Sequence, residues 1–136
     1  MIKFECIGVA ADAHSASAVR EEFAGWLERS FDLDAIRSND LVLAVNEALA
    51  NAAEFAYVRA AGTGTMDLRA RYERDSARLV VTIGDEGEWR VSEPGPASRF
   101  RGRGIPLMRA LSDSFTLETS TGGTRVHMQW DEVPAA

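Results

Sequence analysis

Met66-Asp67-Leu68-Arg69-Ala70-Arg71-Tyr72-Glu73 is the stretch that decides the fold class. Apolar and charged residues alternate along it, the pattern of a strand with one face on a core and the other in water. A second strand follows from Leu79 to Gly84, and the turn residues Asp75-Ser76 between them make the pair a hairpin. Further along, Phe115 to Ser120 and Thr124 to Trp130 form another hairpin across Gly122-Gly123, a common two-residue turn. Val126, Met128 and Trp130 share the buried face of its last strand. Arg125, His127 and Gln129 share the other, which leaves His127 solvated.

Upstream, Ile2 to Val9 reads as a strand and Asp12 to Ser30 as a helix, capped by Ser15 or Ser17. Val19, Phe23, Trp26, Leu27 and Ser30 recur at helical spacing, and Trp26 belongs to the core. A turn over Asp32 to Ser38 leads into a second helix, Asn39 to Arg59. Its apolar stripe is Leu41, Val45, Ala48, Leu49, Ala52 and Ala56. Asp85 to Gly104 loses all periodicity, and a long loop in a compact domain is usually functional. Ile105 to Ser112 is a short helix, with Pro106 acceptable in its first turn. Hairpins therefore alternate with helices. The expected fold is α+β, a two-layer sandwich of a mostly antiparallel, mixed sheet with helices on one face, formed by residues 1–136 as a single domain.

Composition narrows the function. The net charge of −6 argues against a direct nucleic-acid partner, because binding to a phosphate backbone needs clustered cations. Lys3 is the only lysine, so neither a P-loop nor the phosphate-holding lysine of the common protein-kinase fold can be built. The lone Cys6 forms no internal disulfide and reads as a small buried hydrophobe. No apolar run is long enough to span a bilayer, and the first residues lack a secretory signal. These readings favour the cytoplasm, with no membrane association.

Several short motifs then occur in a fixed order. Glu47 and Asn51 lie four apart on the second helix, on one face and distinct from the apolar stripe. Asp85-Glu86-Gly87 follows the buried-type strand, where a carboxylate can accept from a ligand amine. Arg101-Gly102-Arg103-Gly104 runs into a helix N-terminus, whose free N–H groups and dipole favour an anion. Gly122-Gly123-Thr124 sits in the last hairpin. Each has an ordinary structural reading: a solvated helix face, a turn, a helix entry, a hairpin. Their conjunction is the informative feature.

Glu47-Ala48-Leu49-Ala50-Asn51-Ala52-Ala53-Glu54-Phe55-Ala56-Tyr57 resembles the asparagine-containing box of the GHKL ATPases, the superfamily of gyrase, histidine kinases and bacterial anti-sigma kinases. Asp85 and Gly87 resemble its first glycine box. Gly102, Gly104 and Leu107-Met108-Arg109-Ala110-Leu111-Ser112-Asp113 resemble the second as anti-sigma serine/threonine kinases write it, and Gly122-Gly123-Thr124 matches the last. The similarity spans Asp40 to Trp130. It implies the GHKL (Bergerat) ATP-binding fold, with Glu47 as general base and Asn51 offering an oxygen to Mg²⁺. It also implies Asp85 on the adenine amino group supported by Thr124, and Gly87, Gly102 and Gly104 shaping the loops around ATP. Arg103 is an implied phosphate contact.

The implied activity is ATP-dependent phosphorylation of a serine or threonine on an anti-anti-sigma (STAS-type) partner by a homodimeric anti-sigma factor that sequesters an RNA-polymerase sigma factor. Two departures stand out. Trp89 occupies the place of the first box's second glycine, and Phe55 stands where a histidine is frequent. They support an alternative, a nucleotide-binding module that regulates a sigma factor by binding alone. The catalytic half of a sensor histidine kinase is a third reading, disfavoured because no helical phosphoacceptor segment precedes the boxes.

Overall fold

The structure is a computed structural model, described here over residues 2–54, 64–85, 105–120 and 123–136. Its elements run β1 (Lys3–Ala10), α1 (Ala13–Ser30), α2 (Ala35–Glu54), β2 (Thr65–Glu73) and β3 (Arg78–Asp85). A helix α3 over residues 105–111 follows, then β4 (Ser114–Ser120) and β5 (Gly123–Trp130). The strands form one five-stranded sheet in the order β1-β2-β3-β5-β4. All of its ladders are antiparallel.

The alternation seen in β2 becomes the division of the sheet into two faces. Met66, Leu68, Ala70 and Tyr72 are buried, as are Leu79, Val81 and Ile83 of β3 and Val126, Met128 and Trp130 of β5. Against them pack Val19, Phe23, Trp26 and Leu27 of α1 and Leu41, Ala44, Val45, Ala48, Leu49 and Ala52 of α2. Each fully buried Leu, Phe or Met contributes about 1.5–3 kcal/mol over its exposed state. Phe4, Phe23, Trp26, Phe31 and Tyr72 form a chain of ring contacts with centroids 4.9 to 6.0 Å apart. Met108 anchors α3 in the same core, and the Trp130 indole N–H donates to the Leu111 carbonyl at 2.8 Å.

Two helix starts differ from the sequence reading. α1 is capped by Asp12, not by Ser15 or Ser17: its carboxylate accepts from the Ser15 N–H at 2.7 Å. That bond, first of all, holds the Asp12 carboxyl below its ordinary pKa. α2 begins at Ala35 rather than Asn39, because Asp34 accepts from the Arg37 N–H at 2.7 Å and its carbonyl from the Ser38 N–H. The expected turn is thereby shortened to the few residues before Asp34. Residues of the expected helix beyond Glu54, Ala56 among them, lie outside the described residues.

At one end of the sheet the chain ties itself together. Arg37, in the first turn of α2, donates to the carbonyls of Asp131 and, at 2.7 Å, of Glu132, and lies 3.6 Å from the Asp113 carboxylate. Arg78 donates to Asp131 at 3.1 Å, and the Tyr72 hydroxyl to the buried Val133 carbonyl at 2.6 Å. Ala135 bridges back to Phe31.

Candidate nucleotide site

The other end of the sheet is where the sequence motifs converge. Asp85 closes β3 and Thr124 is the second residue of β5, and the two are direct partners in the ladder. They continue the parity of Leu79, Val81 and Ile83 on one strand and Val126, Met128 and Trp130 on the other. Both side chains therefore project to the helix-covered face. The resemblance implied that the two act together; their direct pairing follows from the β3–β5 register.

Thr124 is 4% exposed, and its Oγ1 is buried without a hydrogen-bond partner. A hydroxyl desolvated in this way costs on the order of 1–3 kcal/mol unless something satisfies it. Such an orphan at the mouth of a strand pair is open to a water or to a polar ligand atom. Asp85 is half-buried beside it.

α2 brings the remaining groups. Arg37 fixes its first turn at the Asp131 end, while β2 restarts at the opposite end, with Met66 paired to Asp85. Between Arg37 and Asn51 a helix rises about 21 Å, close to the length of β3. The C-terminal half of α2 is thus directed to the Asp85–Thr124 end. Glu47 and Asn51 are half-buried on the border of the buried stripe of Ala44, Ala48 and Ala52. Neither side chain makes a hydrogen bond or ion pair among the described residues. On this course α2 carries Glu47 and Asn51 toward the end where Asp85 and Thr124 pair. Gly87, Gly102, Arg103 and Gly104 lie outside the described residues, as do Phe55 and Trp89.

Comparison with known proteins identifies the family. The family model of the histidine kinase-like ATPase domain matches residues 9–130. The chain belongs to that family. Histidine kinase-like ATPase domains bind ATP. Among solved structures, the RsbU and RsbW domains of Rv1364c from Mycobacterium tuberculosis match with a TM-score of 0.72 at 21% identity, over 96% of this chain and 32% of that one. This likeness supports the α+β fold. The chain spans about a third of that relative's length. No curated protein matches.

One reading is corrected. His127, expected to be solvated, is held within the sheet: its Nδ1 lies 3.1 Å from the Thr82 hydroxyl. Its Nε2 is buried, 3.3 Å from a Glu118 carboxylate oxygen but without an aligned hydrogen bond. Thr82 and His127 are direct cross-strand partners, so the contact follows from register.

Proposed function

We propose that this ATPase domain is an anti-sigma factor that binds Mg-ATP and phosphorylates a serine or threonine of an anti-anti-sigma, STAS-type partner. The observation that carries the reading is the buried, unpartnered Thr124 hydroxyl in register with Asp85, at the sheet end toward which α2 directs Glu47 and Asn51. Asp85 accepts from the adenine amino group and Thr124 satisfies its own hydroxyl on the same ring. Asn51 offers a neutral oxygen to Mg²⁺, an ion that takes few protein ligands and keeps waters and phosphate oxygens. Mg²⁺, when bound, neutralises phosphate charge.

Glu47 takes the proton of the attacking hydroxyl, its carboxylate being kept available by the lack of any ion-pair partner among the described residues. Gly102 and Gly104 let backbone N–H groups approach the phosphates, Arg103 adds charge, and Gly87 admits the base. Phosphoryl transfer asks mainly for positioning and charge stabilisation, so no covalent enzyme intermediate is needed.

The remaining parts of the reading follow from the family resemblance: a homodimer in the cytoplasm that holds a sigma factor, without nucleic acid or membrane as direct partner. None of the described helices is long and apolar enough to cross a membrane. Incubation with radiolabelled ATP, Mg²⁺ and an anti-anti-sigma protein tests the kinase. Acid-stable phosphate on the partner is expected, lost in Glu47→Gln while calorimetry still detects ATP. Transfer undiminished in Glu47→Gln would remove the assignment of the base. Failure of the wild type to bind ATP would remove the whole reading.

A further inference from the structure

The sheet face opposite the helices carries a cleft of about 350 Å³, lined by Asp67, Arg69, Thr82, Gly84, Glu118 and Arg125 among others. Its rim reaches the sheet end that holds Asp85 and Thr124. Its composition follows from register. Asp67 of β2, Gly84 of β3, Arg125 of β5 and Glu118 of β4 form a single rung across the sheet. Gly84 leaves the middle of that rung without a side chain. Asp67 and Arg125 thus stand two strand spacings apart, about 9.6 Å at the backbone, over a floor of glycine and the Thr82 side of the neighbouring rung.

Both walls are prepared in a specific way. A bulge in β1 between Cys6 and Val9 turns the Gly8 N–H onto Asp67 Oδ1 at 2.7 Å. Among the described residues Asp67 Oδ2 has only a loose contact with Arg69, at 4.0 Å. On the other side, Glu118 is the direct neighbour of Arg125 but lies 3.3 Å from His127 on the diagonal. Arg125 is left with no ion pair among the described residues, its stem lying 3.7 Å from where a Cβ on Gly84 would be. A guanidinium fork without an ion pair among the described residues and an oriented carboxylate thus stand on either side of Gly84 in one rung. The fork suits a carboxylate in bidentate geometry, and Asp67 suits an ammonium.

We propose that this back-face cleft binds a small zwitterion of the free α-amino-acid class, its carboxylate on Arg125 and its ammonium on Asp67. An α-amino acid carries both complementary charges on one carbon, so a single small ligand can offer a hydrogen bond to each wall. The neighbouring carboxylates of Glu118 and Asp67 disfavour a multiply charged anion such as phosphate, whereas a net-neutral ligand meets no such repulsion.

The test is a titration of the full, isotopically labelled chain, without nucleotide, with each of the twenty amino acids. Propionate and ethylammonium serve as single-charge controls. At least one amino acid should shift the Gly84 and Arg125 amide resonances saturably, with a dissociation constant at or below about 10 mM. Each control should bind at least about fivefold more weakly. Asp67→Asn, which keeps an oxygen for the Gly8 N–H, and Arg125→Gln should each weaken binding at least about fivefold, with unchanged circular dichroism. Gly84→Ala serves as a further variant: its methyl meets only ordinary contacts, so the fold is kept while the cleft floor fills. It should weaken the same titration. Saturation by none of the amino acids, a control that binds as well, or a smaller loss in either charge variant overturns the proposal. The assay contains no ATP, so its failure leaves the kinase reading untouched.

Discussion

The two ends of the sheet are built to different standards. At the Asp131 end, polar groups are matched: Arg37 on two carbonyls, Arg78 on Asp131, Tyr72 on Val133, and Phe31 bridged to Ala135. At the Asp85 end, Thr124 is buried with an unsatisfied hydroxyl, while Glu47 and Asn51 are half-buried and unpartnered among the described residues. The contrast separates two demands on one small core. One end holds the layers together; the other keeps groups uncommitted for a ligand. Sites that bind or react are expected to carry such local deficits, offset by packing elsewhere.

This contrast can be broken by substitution. Phe31→Ala, at the tied end, removes a 4%-exposed ring that contacts both Trp26 and Tyr72. It should cost about 3–5 kcal/mol in urea unfolding. Tyr72→Phe leaves the Val133 carbonyl buried without its donor and should cost about 1–3 kcal/mol. Asp34→Ala removes the cap of α2 and should cost about 1 kcal/mol, with ATP binding unchanged in calorimetry.

Thr124→Val is the sharpest case, because its sign should reverse. Removing an orphan buried hydroxyl should leave unfolding stability unchanged or raised by up to about 1 kcal/mol, while ATP affinity falls roughly three- to tenfold. A destabilised Thr124→Val with intact ATP binding would erase the distinction between the ends.

The smallest effect concerns Cys6. Burial, and then the hydrogen bond to and charge of Glu22, push its thiol up to about 11 from 9.0. The folded state thus favours the protonated thiol. Its contribution is intact below pH 9.0 and is lost as pH rises toward about 11. Iodoacetamide at pH 8 should modify the folded chain roughly tenfold or more slowly than the urea-unfolded chain, since the thiolate is the reactive form. Glu22→Gln should narrow that difference.

Much of this architecture was legible in the sequence because period carries it. The alternation in β2 and β5 assigned both faces of the sheet, and the three- and four-residue spacing in α1 and α2 assigned the core. Helix starts were less legible. Asp12 and Asp34 compete with nearby serines and turn residues for the cap, and the winner depends on backbone geometry that periodicity does not carry. The site divided in the same way. Glu47 and Asn51 are a local i, i+4 pair and could be read as sharing a face. The resemblance alone brought Asp85 and Thr124 to one ligand; their side-by-side placement required the β3–β5 register, which no local pattern encodes. The same limit hid the partners of His127 and the charge rung over Gly84.

The bulge in β1 reaches beyond the aspartate it orients. β1 is an edge strand, and Ile7 is 52% exposed on it, the sort of border along which sheets zip together without limit. Gly8, at φ +68°, throws the spacing of amides and carbonyls out of step between Cys6 and Val9. A straight incoming strand finds no continuous ruler there, which opposes fibrous growth along this border.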